Sequence, residues 1–239
     1  MEQRFRPNLP NLRSAAGVLT GLLVLISVAA AIPGAGFLKY FALSPAAVTS
    51  EFTLWTLLTY GFVATDPVGV IFGAMVFLSV GGALESMWGS RRLLRFTLGV
   101  TVFAAVMTVA LAQVWSRLEL AIYPGSSVVT GALIIAFGMA YGSRLTGFFG
   151  LPVTGYQFAL IGVAFVALSA AFYGIAVVVP SVFAMLAAYV VVRGYGPADL
   201  LTRFRSWQLE RDLKKRASHL SVVSGQKRNM PGDSDKYLH

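Results

Sequence analysis

The sequence predicts an all-α membrane protein: a bundle of six spanning helices with a short membrane-embedded segment after the first span, and both termini on the inner side. Three observations predict it. Hydrophobic residues make up 56% of the 239 residues and charged residues only 12%, about half of what a soluble domain carries. The apolar residues fall in blocks of membrane-spanning length, near 20 residues. The charges lie almost wholly outside those blocks.

Charge and cysteine usage narrow the function classes. Lys and Arg number 19 against 10 Asp and Glu, a net charge of +9. In a soluble domain that balance points to nucleic acid. Here the cations flank apolar blocks, so they point to topology and lipid headgroups, and no nucleic-acid partner is expected. With no cysteine in the chain, a disulfide scaffold, a thiol nucleophile and a cysteine-ligated metal are excluded. No metal and no cofactor is expected.

The elements follow in order. Residues 1–13 form a polar inner-side start with Arg4, Arg6 and Arg13. Residues 14–32 imitate a signal peptide, but they are as long as a span and many spans follow, so they are read as the first helix. Residues 33–50 are a loop. Residues 51–63 are apolar, aromatic and too short to span, which suits an interfacial or re-entrant segment anchored by Trp55 and Tyr60. Residues 68–84 are the second span, closed by Glu85 and the basic turn of Arg91, Arg92 and Arg95; 96–114 are the third and 126–142 the fourth. A Gly-rich loop over 144–155 precedes the fifth span at 156–172. A turn at Tyr173-Gly174 leads to the sixth at 175–192, where Pro180 predicts a kink. The chain thus divides into 1–13, a membrane domain at 14–193, and a basic amphipathic tail at 194–239. The tail's Phe204 and Trp207 lie among Arg203, Arg205, Lys214, Lys215 and Arg216, a composition suited to anionic lipid.

Counting cations sets the orientation. With six spans and the N-terminus inside, 17 Lys and Arg fall on the inner side and two, Lys39 and Arg117, on the outer. The bias persists without the tail.

Four stretches resemble one known family. Trp55-Thr56-Leu57-Leu58-Thr59-Tyr60-Gly61-Phe62 is similar to the element that opens the membrane-embedded L1 region of rhomboid intramembrane proteases. Gly81-Gly82-Ala83-Leu84-Glu85-Ser86-Met87-Trp88-Gly89-Ser90 resembles the sequence closing their second helix. Thr130-Gly131, with Gly138 further on, is similar to the Ser-Gly start of their fourth helix, and Phe148-Phe149-Gly150-Leu151-Pro152-Val153 resembles the loop before the fifth. The matches keep family order and spacing over roughly residues 10–195. The resemblance implies a rhomboid-like six-helix bundle in which 51–63 is L1.

The family's chemistry implies a Ser nucleophile on the fourth helix, a His base on the sixth, and oxyanion donors that include a His and an Asn at the start of the second. A hydroxyl attacks poorly until a base within reach takes its proton, and the developing oxyanion needs preorganised donors. In this chain the resemblance places the nucleophile at Thr130, with Ser127 as the fallback frame, the base at Ser181, and the two donors at Gly69 and Gly73. Glycine donates nothing from a side chain. The arginine of the family's Trp-Arg pair is replaced by Thr56. Independently of any frame, the only two histidines, His219 and His239, lie past the last span, and the spans hold no His, Lys, Asp or Glu. Intramembrane ionisable residues mark proton relays and ion paths, so their absence also argues against a transporter.

Plainer readings stand beside these. The steps Gly69 to Gly73 and Gly138 to Gly142 suit close helix packing. Thr130 suits a helix cap or a bond to an i−4 carbonyl. The sequence is therefore read as a membrane pseudoprotease, similar to the inactive rhomboid relatives, that binds transmembrane segments of client proteins without cutting them. The alternative is an active, divergent intramembrane serine or threonine peptidase. Cell (plasma or inner) membrane residence is expected, as the missing cysteines and short tail suit a prokaryotic membrane.

Overall fold

The computed structural model describes residues 14–32, 37–148 and 151–195. The N-terminal segment 1–13 and the lipid-assigned tail residues Arg203, Arg205, Trp207, Lys214, Lys215 and Arg216 lie outside the described residues.

Helix α1, Ala15–Ala30, starts at Ser14, whose side chain accepts from Gly17 N. Its inward stripe of Ala16, Leu19, Leu23 and Ser27 has the three-to-four-residue spacing of one helix face, while Val18, Leu22 and Leu25 remain exposed. The expected loop at 33–50 contains two short helices, α2 (Leu38–Phe41) and α3 (Pro45–Ser50), and L1 contains α4 (Thr56–Thr59) and a 3-10 turn at Tyr60–Phe62.

Helix α5, Pro67–Val76, begins at the Asp66 N-cap with proline in its first turn. It runs through a π turn at Phe77–Gly81 into α6, Gly82–Trp88, to make one apolar rod. Gly89, at φ +80°, reverses the chain into α7, Ser90–Ala112. Then come α8 (Ser116–Glu119), α9 (Ser126–Tyr141), α10 (Gly155–Tyr173) and α11 (Ile175–Val190), which continues through Pro180 and ends in a π turn at Val191–Tyr195. A reciprocal Thr154–Gln157 capping box opens α10.

Among the described residues, four helices are long and apolar enough to cross a membrane: Pro67–Trp88, Ser90–Ala112, Gly155–Tyr173 and Ile175–Gly194. The first and fourth expected spans, α1 and α9, are 16 residues each, or about 24 Å against a hydrocarbon core of about 30 Å. For α9 the reason is its position. Every residue from 128 to 138 is buried, with α10, α11, α5 and α7 packed around it, so this helix has little lipid to match.

The stretch at 144–155 departs from the all-α expectation. It forms an antiparallel hairpin, β1 (Leu145–Phe148) with β2 (Leu151–Thr154), in register from Leu145 opposite Thr154 to Phe148 opposite Leu151. Thr146, Val153 and Thr154 are β-branched and favour extended backbone. Glycine content alone suggested a loop; the pairing explains why a tight, regular crossing forms there instead.

Candidate functional site

The L1 residues that carry the family resemblance are built into the bundle. Tyr60 is fully buried and its hydroxyl donates to Thr101 O at 3.0 Å. Burial raises its phenol above the ordinary tyrosine range. The first residues of α9 hang on the same segment, because Gly125 N donates to Tyr60 O at 2.9 Å and Ser126 N to Val63 O at 3.0 Å. On the other side, Ser27 of α1 donates to Phe62 O and accepts from Ala64 N, at 3.2 and 2.9 Å. A side chain at Gly61 would meet Thr101 and Val129 at 2.7 and 2.9 Å, so glycine is required for this approach. Tyr60 is thus a core residue and not an interfacial anchor. Trp55 is 53% exposed, and its indole N–H donates to Tyr40 O. Thr56, where the family has arginine, is buried and donates to Thr53 O at 2.7 Å.

This docking fixes where α9 starts, and so places Thr130 one turn inside the bundle. Thr130 is 6% exposed and Ser181 on α11 is 5% exposed, whereas the fallback Ser127 is exposed. The structure brings Thr130 and Gly73 together, since a Cβ on Gly73 would lie 3.9 Å from Thr130 Oγ1. The same Cβ would lie 2.9 Å from Leu23 Cδ2. The fully buried Leu23 of α1 therefore occupies the space where the family's donor side chain would project.

Gly69 has a different neighbour. Its N–H donates to the Asp66 carboxylate at 2.6 Å, and a Cβ there would lie 2.8 Å from the other carboxylate oxygen. A Cβ at position 69 would therefore require the Asp66 side chain to turn away slightly. The helix cap fixes Asp66 at the level of Gly69, a turn or about 6 Å from Gly73 along the axis. Among the described residues, no hydrogen bond joins Thr130 Oγ1 or Ser181 Oγ to any partner. Neither the i−4 bond nor the cap suggested for Thr130 forms; the i−4 bond is made instead by Thr20, Thr101 and Thr108. Ser181 shares the buried face of α11 with Ala184, Met185 and Ala188. One turn on from Ser181, Met185 Cε lies 2.8 Å from where a Cβ on Gly131 would stand. Leu23 and Met185 thus stand near the two hydroxyl-bearing positions, and a hydroxyl with no base in reach is not activated as a nucleophile.

The glycine pairs behave unequally. Gly138 faces α10, where its Cβ would meet Ala159 Cβ at 2.5 Å and Gly155 O at 2.7 Å, and Gly162 faces Ile134 at 2.6 Å. Gly142 ends α9 with φ +58°. Of the two glycine steps, Gly73 and Gly138 thus serve close packing, as do Gly155 and Gly162 on α10. Helix α10 reaches α5 through the stacked rings of Phe72 and Phe165, 6.1 Å apart.

Two positions with structural consequences went unassigned in the sequence. Asp66 is the cap of α5, and the Asp-Pro pair before an apolar run was the signal for it. Glu85 accepts from Ala15 N at 2.9 Å, Ala16 N at 2.8 Å and Ser90 Oγ, so one carboxylate joins the start of α1 to the α6–α7 turn. Its place in the Leu84-Glu85 and Gly89-Ser90 motif was visible, its partner was not.

Comparison with known proteins gives two findings. The family described as eukaryotic integral membrane protein (DUF1751) matches residues 14–216. Rhomboid-like protein 19 of Arabidopsis thaliana is 33% identical over 109 residues, 44% of this chain and 33% of that protein. The match spans about a third of the relative's length.

Proposed function

We propose, from the premise that the chain belongs to the eukaryotic integral membrane protein family DUF1751 and is rhomboid-like, that it is a pseudoprotease that binds transmembrane segments of client proteins without cleaving them. The observation that carries this reading is the setting of Thr130. Its hydroxyl has no hydrogen-bond partner among the described residues, Leu23 fills the adjoining space, and both histidines lie beyond the membrane helices. A hydroxyl without a base in reach does not attack an amide.

What such a fold retains is a surface for a helix. The lipid-side faces of α5 and α10 are apolar and exposed at Val68, Ile71, Leu160 and Phe165, and the Phe72–Phe165 stack lies between the two helices. A client helix entering there would exchange aromatic stacking and lipid contact for helix packing, where close van der Waals fit supplies the affinity. Orientation with both termini inside follows the cation count, the basic tail adds attraction to anionic lipid, and six crossings would require the bilayer to thin around α1. The family's eukaryotic description weighs against the prokaryotic membrane expected from the sequence; residence in the plasma membrane or an internal one is decided by localising a tagged full chain.

A photoreactive phenylalanine at position 165 tests the reading in cells. The expected result is adducts with uncut membrane proteins, crosslinked within their transmembrane segments. Adducts confined to soluble segments, or none, would refute it. The active-peptidase alternative draws on the unbonded Thr130 hydroxyl. It predicts fluorophosphonate labelling that disappears in Thr130→Val, and labelling of that kind would replace the pseudoprotease reading.

A further inference from the structure

We propose that the corner where α6 turns into α7 is a binding site for the phosphate of an anionic phospholipid, formed by Arg91, Arg92 and Arg95 beside Trp88. The Arg92 guanidinium lies 5.3 Å from the Trp88 ring centroid, and the indole in turn meets Phe96 edge-on at 5.4 Å. The aromatic pair holds one cation in place. Arg95 Nε donates to Arg91 O at 3.3 Å, which folds that side chain back towards the start of α7. Arg91 and Arg95 are four residues apart on one helix face, where like charges repel.

Nothing in the described chain neutralises this cluster. All three arginines are exposed. Glu85 is the acid of this corner, and its oxygens are taken by Ala15 N, Ala16 N and Ser90 Oγ. Arg144 after α9 and Arg193 after α11, at the same end of the bundle by the alternation of the helices, are exposed cations as well. An anion that accepts from guanidinium forks relieves the repulsion, and phosphate matches that geometry.

Lipid is the source because of where the corner stands. It joins two membrane-length apolar helices, Pro67–Trp88 and Ser90–Ala112, across a single residue. The turn therefore lies at a bilayer surface, with the Trp88 indole at headgroup depth. Its residues are not those of the tail, and it does not depend on what Thr130 does.

The test uses the full chain in proteoliposomes, with Trp55→Phe, Trp115→Phe and Trp207→Phe leaving Trp88 as the only indole. Phosphatidylcholine vesicles carry either brominated-chain phosphatidylserine or, at equal mole fraction, brominated-chain phosphatidylcholine. The expected result is stronger Trp88 quenching by the serine lipid, corresponding to a local enrichment of roughly fivefold or more. Arg91→Gln, Arg92→Gln and Arg95→Gln together should remove the enrichment, and Arg95→Gln alone, a single exposed change, should reduce it. Equal quenching by the two lipids, or an enrichment that survives both variants, overturns the proposal. So does an enrichment abolished by inorganic phosphate but not by sodium chloride of equal ionic strength, which would assign the site to a soluble phosphate.

Discussion

Gly138→Ala probes the seat of α10 on α9. The new methyl carbon would stand 2.5 Å from Ala159 Cβ and 2.7 Å from Gly155 O, whereas carbon atoms pack without strain at about 3.5–4.0 Å. Both obstacles are backbone or Cβ atoms with no rotamer to change, so the helices themselves must separate by about 1 Å. Overpacking of that kind costs about 1–3 kcal/mol. Gly99→Ala is the control, because nothing lies within 4 Å of its added methyl. In the interior of α7 it should gain up to about 1 kcal/mol of helix propensity. The assay is thermal unfolding of the detergent-solubilised full chain. Gly138→Ala should melt below wild type and Gly99→Ala at or above it, at roughly 2–4 °C per kcal/mol for a chain of this size. A Gly138→Ala variant as stable as Gly99→Ala would refute the backbone contact between α9 and α10, and with it the position of α10 beside α5.

Glu85→Ala should lower the melting temperature more than Ser90→Ala, because it removes the acceptor for Ala15 N, Ala16 N and Ser90 Oγ together and charged hydrogen bonds are worth about 1.5–3 kcal/mol each; limited proteolysis should show α1 loosening first. Tyr60→Phe loses the bond to Thr101 O and should cost about 1 kcal/mol in the same melting assay; no change would mean that the hydroxyl does not hold L1. Tyr123→Phe should do the opposite, since its buried hydroxyl has no partner among the described residues and its removal relieves a desolvated group. Burial pushes the Tyr123 phenol up to about 12. The wild type therefore keeps the associated stability below pH about 10 and loses it as the pH rises towards 12. The phenylalanine variant, compared by chemical denaturation across that range, should lack this part of the decline.

What the sequence disclosed, and what it did not, follow the range of the interactions. Apolar blocks marked the fifth and sixth spans to within two residues and the second to within four, because lipid exposure and helix length are local properties. Helix α7, however, begins at Ser90, six residues before the expected start, and takes in the three arginines read as a turn. The span count was less legible. The shortness of α9 reflects the helices around it, and those neighbours are not written in its own residues. Tyr60 looked like a belt residue because it is aromatic and near an apolar end. Only the acceptor on Thr101, 41 positions away, makes it a core residue. The hairpin at 145–154 and the π turn at Phe77–Gly81 lay in runs whose composition suited a loop and a plain helix. At the candidate site the chemical types were readable from the chain, while the occupation of the space beside Gly73 by Leu23 depended on packing between α1 and α5.

That packing changes the meaning of the two glycines. Had they only lost side chains, putting histidine and asparagine back at positions 69 and 73 would rebuild a donor pair around Thr130. The neighbours resist it. Even the first carbon at 69 would come within 2.8 Å of the Asp66 carboxylate, and at 73 within 2.9 Å of Leu23 Cδ2. Asp66 is committed to the α5 amide at Gly69, and Leu23 is fully buried in the core. Restoring the donors would require the Asp66 cap to readjust and Leu23 to shift within a packed core, where overpacking costs about 1–3 kcal/mol. Under the proposed function, catalysis is therefore opposed by the stability of the fold itself, and a change back would have to pass through α1 before it reached the hydroxyl.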